Sequence, residues 1–456
     1  MAGEQDTLRT HFTVDFNTYG SLGKDLPFWF TANQHGAFTS GNGYYQLLRA
    51  GFAHGVVTDT AKKWDFSYGT TVIAGYGSKA QFQLNQYWFG ARYKWLKVKI
   101  GARNDSVRFA GLSNTNGNMM WSGNARPLPG ITFSTNGYVP LFSQVKWLTF
   151  RGLYEENFLI GLRDMTSAML HHKYLYAKAT LKMWSFSLGL DHWVYWGGTS
   201  RTLGKTTGIE YYPRYVFGFN GGKNSSVSDI KNKAGNTIGM YALEVGKNFG
   251  GNLLTFYWDH PFEDRSGVEF DNMPDGLWGL HFQNKNRGAL VSDIVCEFMC
   301  TINQSGTYHL IPSGVPGVFT GRGCDNYFDL GAYGGGFYSS GHVFYNKMMG
   351  TPLFIPVIGA DGISKGFDNT RIEMYHLGIG GSITDRFTWK SLLTISHSLG
   401  AYSKSYPVPL DQLSMLGECS YQLMHLPVCL NFGAAADIGD RFQKRIGGYS
   451  GISWKF

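Results

Sequence analysis

The chain has 456 residues, 61 of them Gly, with 16% aromatic and only 16% charged residues, against about 25% charged in an average soluble domain. A mean hydropathy of −0.20 with no run of ~18 apolar residues excludes a helical membrane bundle. The missing every-third-Gly repeat excludes collagen, and 43% hydrophobic residues exclude a disordered chain. Forty Lys and Arg against 32 Asp and Glu leave a net +8, which attracts polyanions, but the basic residues are scattered and indicate no nucleic-acid partner.

The opening MAGEQDTLRT has no apolar core, which implies either a cytosolic protein or a removed signal peptide with a start Met added. From there the chain reads as strands. Trp64, Phe66, Tyr68, Thr70 and Val72 alternate with polar or small residues, and Phe82, Leu84 and Trp88 alternate with Gln81, Gln83 and Asn85. Leu254-Phe256-Trp258 and the run Val428-Leu430-Phe432-Ala434-Ala436 repeat the pattern. Turn signals fall at Asn42-Gly43, Asn116-Gly117, Asn136-Gly137, Asn220-Gly221, Asp275-Gly276 and Asp361-Gly362. No amphipathic helix longer than about two turns is visible.

A soluble sandwich and a membrane barrel both alternate, and three features favour the barrel. Its apolar positions are unusually aromatic, as in interfacial girdles. A tight turn near Lys182-Met183 is followed by a long polar stretch from Gly197 to Gly208, as short periplasmic turns alternate with long extracellular loops. The end, Ile452-Ser453-Trp454-Lys455-Phe456, reads as a closing strand with a lipid-facing terminal Phe. The expected fold is therefore all-β: one transmembrane antiparallel β-barrel over residues 1–456. It should have about 18 strands, or 16, at ~10 residues per strand plus connections. Such a chain belongs in the bacterial outer membrane, where it meets outer-membrane lipids and lipopolysaccharide.

Several separated segments resemble those of the Wzi-type capsule assembly family, in the branch common in Bacteroidetes-type bacteria. They are Pro27-Phe28-Trp29-Phe30-Thr31-Ala32-Asn33, Ser122-Gly123-Asn124-Ala125-Arg126-Pro127-Leu128-Pro129, His171-His172-Lys173-Tyr174-Leu175-Tyr176 and Gly189-Leu190-Asp191-His192-Trp193-Val194-Tyr195-Trp196-Gly197-Gly198. Asp264-Arg265-Ser266-Gly267, Pro274-Asp275-Gly276-Leu277-Trp278-Gly279, Asp325-Asn326-Tyr327 and Gly350-Thr351-Pro352-Leu353-Phe354 follow. The likeness spans residues 27–456, with Cys324 where a second Gly is expected and without the periplasmic helical segment of some members. It implies a barrel that holds capsular, acidic polysaccharide at the cell surface without catalysis. A solute channel, or an accessory barrel with envelope protein partners, is the alternative.

Pairing about the 182–183 turn brings His172 and Lys173 beside Trp193–Trp196 at the outer rim, where aromatic faces suit sugar C–H surfaces and cations suit uronate. The plainer reading is an aromatic girdle with structural histidines. Arg126, in stiff Gly- and Pro-flanked backbone, either grips an acidic sugar or braces a loop through carboxylates. With Arg265 and Trp278 from the later segments, the candidate polysaccharide-binding set is Arg126, His171, His172, Lys173, Trp193, Trp196, Arg265 and Trp278.

Neither Asp191-His192 nor Asp259-His260 makes a catalytic dyad, because neighbours on a strand point to opposite faces. Gly198 to Lys205 has the wrong spacing for a phosphate loop. The five cysteines, Cys296, Cys300, Cys324, Cys419 and Cys429, show no metal spacing. Cys296 and Cys300, ~13 Å apart on one strand, cannot pair with each other. No cofactor, metal or enzymatic activity is expected.

Overall fold

The structure is a computed structural model. It describes residues 10–38, 43–55, 62–161, 163–222, 234–263, 265–304, 310–312, 319–321, 327–328, 336–402 and 404–456. Its main sheet is a closed antiparallel barrel in which sequence neighbours pair throughout. Gly130–Thr135 and Val139–Phe142 both pair with Val145–Phe158 and form one broken strand, which makes eighteen strands around the wall. The last strand, Arg445–Lys455, pairs with the first, Thr10–Ser21, and reciprocal hydrogen bonds between Phe12 and Phe456 fasten the seam. Ile452, Trp454 and Phe456 face outward there, as the terminal pattern predicts.

The alternation has its expected cause in most strands. Trp184–Trp196 turns Trp184, Phe186, Leu188 and Leu190 outward and Ser185, Ser187 and Asp191 inward. Leu188 is 65% exposed, a surface that water would penalise at about 25 cal/mol per Å² and that hydrocarbon accepts. One segment departs. In strand Ala80–Tyr93, Phe82 and Leu84 face out, but Trp88 faces the lumen at 8% exposure. The ladder to strand Trp64–Tyr76 slips between Thr71, opposite Gln86, and Val72, opposite Leu84, leaving Asn85 as one extra residue that inverts the alternation beyond it.

Connections at one end are short: 94–95, 143–144, 182–183, 250–251 and 385–386. The other end carries the long ones, 103–129, 197–235 and 301–371. Much of the long-loop half of the lumen is packed rather than open. The segments 22–38, 103–129 and 336–367 fold inside, burying Phe30, Met119, Met120, Phe344, Phe354 and Phe367 against inward wall residues such as Leu47 and Met374. Most of 303–330 lies outside the described residues, although Tyr327 and Phe328 are buried.

The aromatic surplus therefore has two destinations. Trp64, Trp95, Trp147 and Trp184 face the membrane, whereas Trp29, Trp88, Trp121 and Trp193 belong to the interior. Some glycines serve the plug as well as the turns. Gly378 faces inward, where a Cβ would stand 2.3 Å from the Leu112 carbonyl oxygen of the plug.

Candidate functional site

The plug contains three of the segments that stand out in the sequence, 27–33, 122–129 and 350–354. His35 and Gly36 donate backbone N–H groups to the Gly123 and Asn124 carbonyls, and Asn33 Nδ2 donates to Asn114 O at 2.7 Å. Ser122 donates to Met349 O through its N–H and to Gly350 O through its hydroxyl, at 2.6 Å, while Thr351 N donates to Met119 O. Segments far apart in sequence thus form one hydrogen-bonded body. Wall carboxylates hold it. Glu297 accepts from Ser113 Oγ (2.5 Å), Asn114 N (2.8 Å) and Tyr257 OH (2.6 Å), and Asp437 accepts from Phe28 N at 2.8 Å. Bonds to charged acceptors contribute about 1.5–3 kcal/mol each.

Arg126 rides on the long-loop side of this body, in a cleft of about 530 Å³ lined also by Thr31, Gln81, Asn124, Tyr345, Lys347 and Arg445. Its guanidinium lies 3.7 Å from the Tyr345 ring centroid. Nε is buried without a hydrogen-bond partner, and no carboxylate pairs with the group among the described residues. Of the two readings of Arg126, the brace through carboxylates finds no partner among the described residues. Burial pulls the Arg126 guanidinium below its usual pKa and does the same to the Lys347 ammonium. Arg445, by contrast, is matched by Asp25 at 3.2 Å. The cleft presents two uncompensated cations and an aromatic face, an arrangement suited to an anionic, partly apolar ligand such as a uronate-bearing sugar.

Tyr345 was invisible from sequence. It sits on a tight turn between the paired segments Val343–Phe344 and Lys347–Met348, with φ of 48° at Tyr345 and 59° at Asn346. A left-handed tyrosine is unusual, and here it places the ring under Arg126. The turn has Asn but no Gly, so only the Asn hinted at it.

The other candidates do not converge on that cleft. The predicted register is found, with His172 opposite Trp193 and Met169 opposite Trp196. The rim reading needs correction, however, because successive residues face opposite sides of the wall. His172 and Trp193 point into the lumen and stack at 4.4 Å with an interplanar angle of 5°. His172 Nδ1 lies 2.8 Å from Glu155, and the pair is buried.

His171, Lys173 and Trp196 face outward but are covered. A segment of the long connection, with the turn Ile209–Tyr211 and helix Tyr212–Phe217, lies over the outside of the wall. Glu156 accepts from His171 Nδ1 at 2.6 Å, from Trp196 Nε1 at 3.1 Å and from the Tyr212 hydroxyl. Lys173 donates to Val216 O. Ile209, Phe217 and Phe219 form the exposed side of this strap. Replacing Glu156 with Ala strands His171, Trp196 Nε1 and the Tyr212 hydroxyl on the membrane side. A loss of about 2 kcal/mol in unfolding stability and faster proteolysis within 209–219 are expected, read by urea titration and limited digestion.

Trp278 also faces outward, beside Trp258 (5.4 Å), in the girdle. Arg265 begins the helical turn Arg265–Val268, and its side chain lies outside the described residues, as do Asp325-Asn326 and Cys324. Cys296, Cys300, Cys419 and Cys429 are unpaired. Asp259 faces the plug and His260 the opposite side, and no group of His, Cys, Asp and Glu with metal-site geometry occurs among the described residues.

Solved structures share the architecture. Wzi of Escherichia coli, an outer-membrane protein involved in group 1 capsule assembly and characterised as a carbohydrate-binding β-barrel, is 11% identical, over 98% of this chain and 85% of that one, with a TM-score of 0.58. OccAB3 of Acinetobacter baumannii is 8% identical over 98% of both chains with a TM-score of 0.48. OprD of Pseudomonas aeruginosa is 8% identical over 98% and 94%, with a TM-score of 0.46. At such identities the likeness is one of fold. No protein-family model matches the chain, and no curated protein sequence matches it.

Proposed function

We propose that this chain resides in the bacterial outer membrane with its long loops outward and holds an acidic, capsule-type polysaccharide at the Arg126 cleft, without catalysis. The observation that carries the reading is the unpaired Arg126 guanidinium stacked on Tyr345 in a cleft at the long-loop end. The net charge of +8 favours an anionic polymer, and the fold shared with a carbohydrate-binding barrel supports a sugar. Each cleft engages its ligand weakly. Retention comes from many sugar repeats meeting many barrels, where effective concentration multiplies single-site affinity. In cells bearing Arg126→Ala, surface polysaccharide is expected to move into the medium while its synthesis continues. A cell-bound fraction equal to wild type would defeat the reading.

A second reading, a solute channel, draws on a specific feature. The outer cleft and a chamber on the short-turn side approach each other across residues 103–106 and 122–127. Planar-bilayer recording separates the two: steady, high-conductance openings of the wild type favour a channel, and a quiet membrane favours polysaccharide retention.

A further inference from the structure

Beneath the plug, toward the short-turn end, lies a chamber of about 620 Å³, within the range of small-ligand sites. Lys97 and Lys99 line it from strand Leu96–Ala102. Neither ammonium has a hydrogen-bond or ion-pair partner among the described residues. Arg103, where the chain leaves the wall to form the plug, lies over Trp88 at 4.1 Å and makes no hydrogen bond there. The carboxylate nearest Lys99 is already engaged, since Glu155 takes His172 at 2.8 Å and Thr132 Oγ1 at 2.8 Å. Asp65 and Asp105 also line the space, and Asp105 accepts from Trp121 Nε1, but the four cations Arg92, Lys97, Lys99 and Arg103 outnumber the two carboxylates beside a stacked indole. The excess positive charge in a partly desolvated lumen is relieved by an anion. The hydroxyls of Thr13, Ser67 and Ser134 complete a polar wall able to meet a ligand rich in hydroxyl groups.

We propose that this chamber is a second binding site, separate from the Arg126 cleft, for an acidic saccharide arriving from the short-turn side. Lys97, Lys99 and Arg103 hold its carboxylate, and the wall hydroxyls hold its sugar hydroxyls. The anion site stands independently of what fills the outer cleft; only the choice of a saccharide over a bare anion rests on the function proposed above.

The test is calorimetric titration of the full barrel in detergent, at low salt, with a galacturonic acid trimer and, in a separate arm, with inorganic phosphate. Wild type is expected to take up two equivalents of the trimer. Lys97→Gln with Lys99→Gln should weaken one equivalent at least tenfold and spare the other, which Arg126→Ala removes. Lys97→Arg, which keeps the charge, should retain both. Folding of each variant is checked by the mobility shift of the unheated barrel in gels, and the single Lys97→Gln and Lys99→Gln variants serve if the double variant fails to fold. If Arg126→Ala alone changes the titration, the chamber proposal is overturned and the outer-cleft reading stands. If the lysine variants alone change it, the reverse holds. Phosphate binding as tightly as the trimer would overturn the assignment to a saccharide.

Discussion

Replacing Gly350 with alanine is expected to unseat the plug. A Cβ at this position would stand 2.3 Å from the Met119 carbonyl oxygen and 3.0 Å from the Met120 Cα. Both are backbone atoms, so no side chain can rotate away. The clash falls where Thr351 N donates to Met119 O and Ser122 Oγ donates to Gly350 O, which joins the 336–367 and 103–129 segments. Opening that junction costs about 3 kcal/mol from overpacking and lost hydrogen bonds. The barrel wall, whose ladders do not pass through Gly350, should remain closed. Two readouts are expected to move together: protease cleavage within 103–129 rises, and bilayers that are quiet with wild type show ionic current. An unchanged digestion pattern would mean that the junction does not seat the plug.

Acid should loosen the same body through His342. Its ring is fully buried, with Nδ1 2.6 Å from Tyr195 OH and Nε2 2.9 Å from Met120 O. A carbonyl only accepts, so Nε2 carries the proton and Nδ1 accepts from the tyrosine. The neutral ring satisfies both partners, and a second proton would face the Tyr195 hydroxyl hydrogen. Burial lowers the pKa to about 3 from the ordinary 6.5. With the plug displaced, the imidazole takes up its proton near pH 6.5; seated, it resists protonation until about pH 3. Between those values protons favour the displaced form, so plug stability is complete above 6.5, falls at ~1.4 kcal/mol per pH unit below it, and levels off near 3. Hydrogen exchange across 112–129 should therefore quicken on acidification in that window. His342→Gln, which keeps a donor toward Met120 O without a titrating ring, should flatten the dependence. An identical acid profile in the variant would assign the effect to another group.

The wall was legible in the sequence because its signal is local. Period-two alternation, the 182–183 turn and the terminal strand each depend on neighbouring residues and on the membrane outside. Trp88 escaped because one bulge inverts the alternation after Asn85, and nothing in the local composition marks the step. The hairpin register was also legible, but not what covers its outer face. Glu156, Tyr212 and Val216 reach His171 and Lys173 from elsewhere in the chain. Three of the conspicuous segments, 27–33, 122–129 and 350–354, proved to belong to the plug, joined by contacts spanning up to 228 positions, as between Ser122 and Gly350. Of the candidate cleft, the sequence offered Arg126 alone. Tyr345 and Lys347 reach it only through a turn in a segment that reads as plain loop.

Recognition of acidic sugar by the Arg126 cleft can be read by comparing two polymers of one backbone, one bearing uronates and the other neutral, on the wild-type barrel and on Arg126→Ala. Equilibrium binding to the detergent-solubilised proteins is predicted to weaken at least tenfold for the acidic polymer and to stay unchanged for the neutral one. Equal affinity of wild type and variant for the acidic polymer would mean that Arg126 does not hold the uronate.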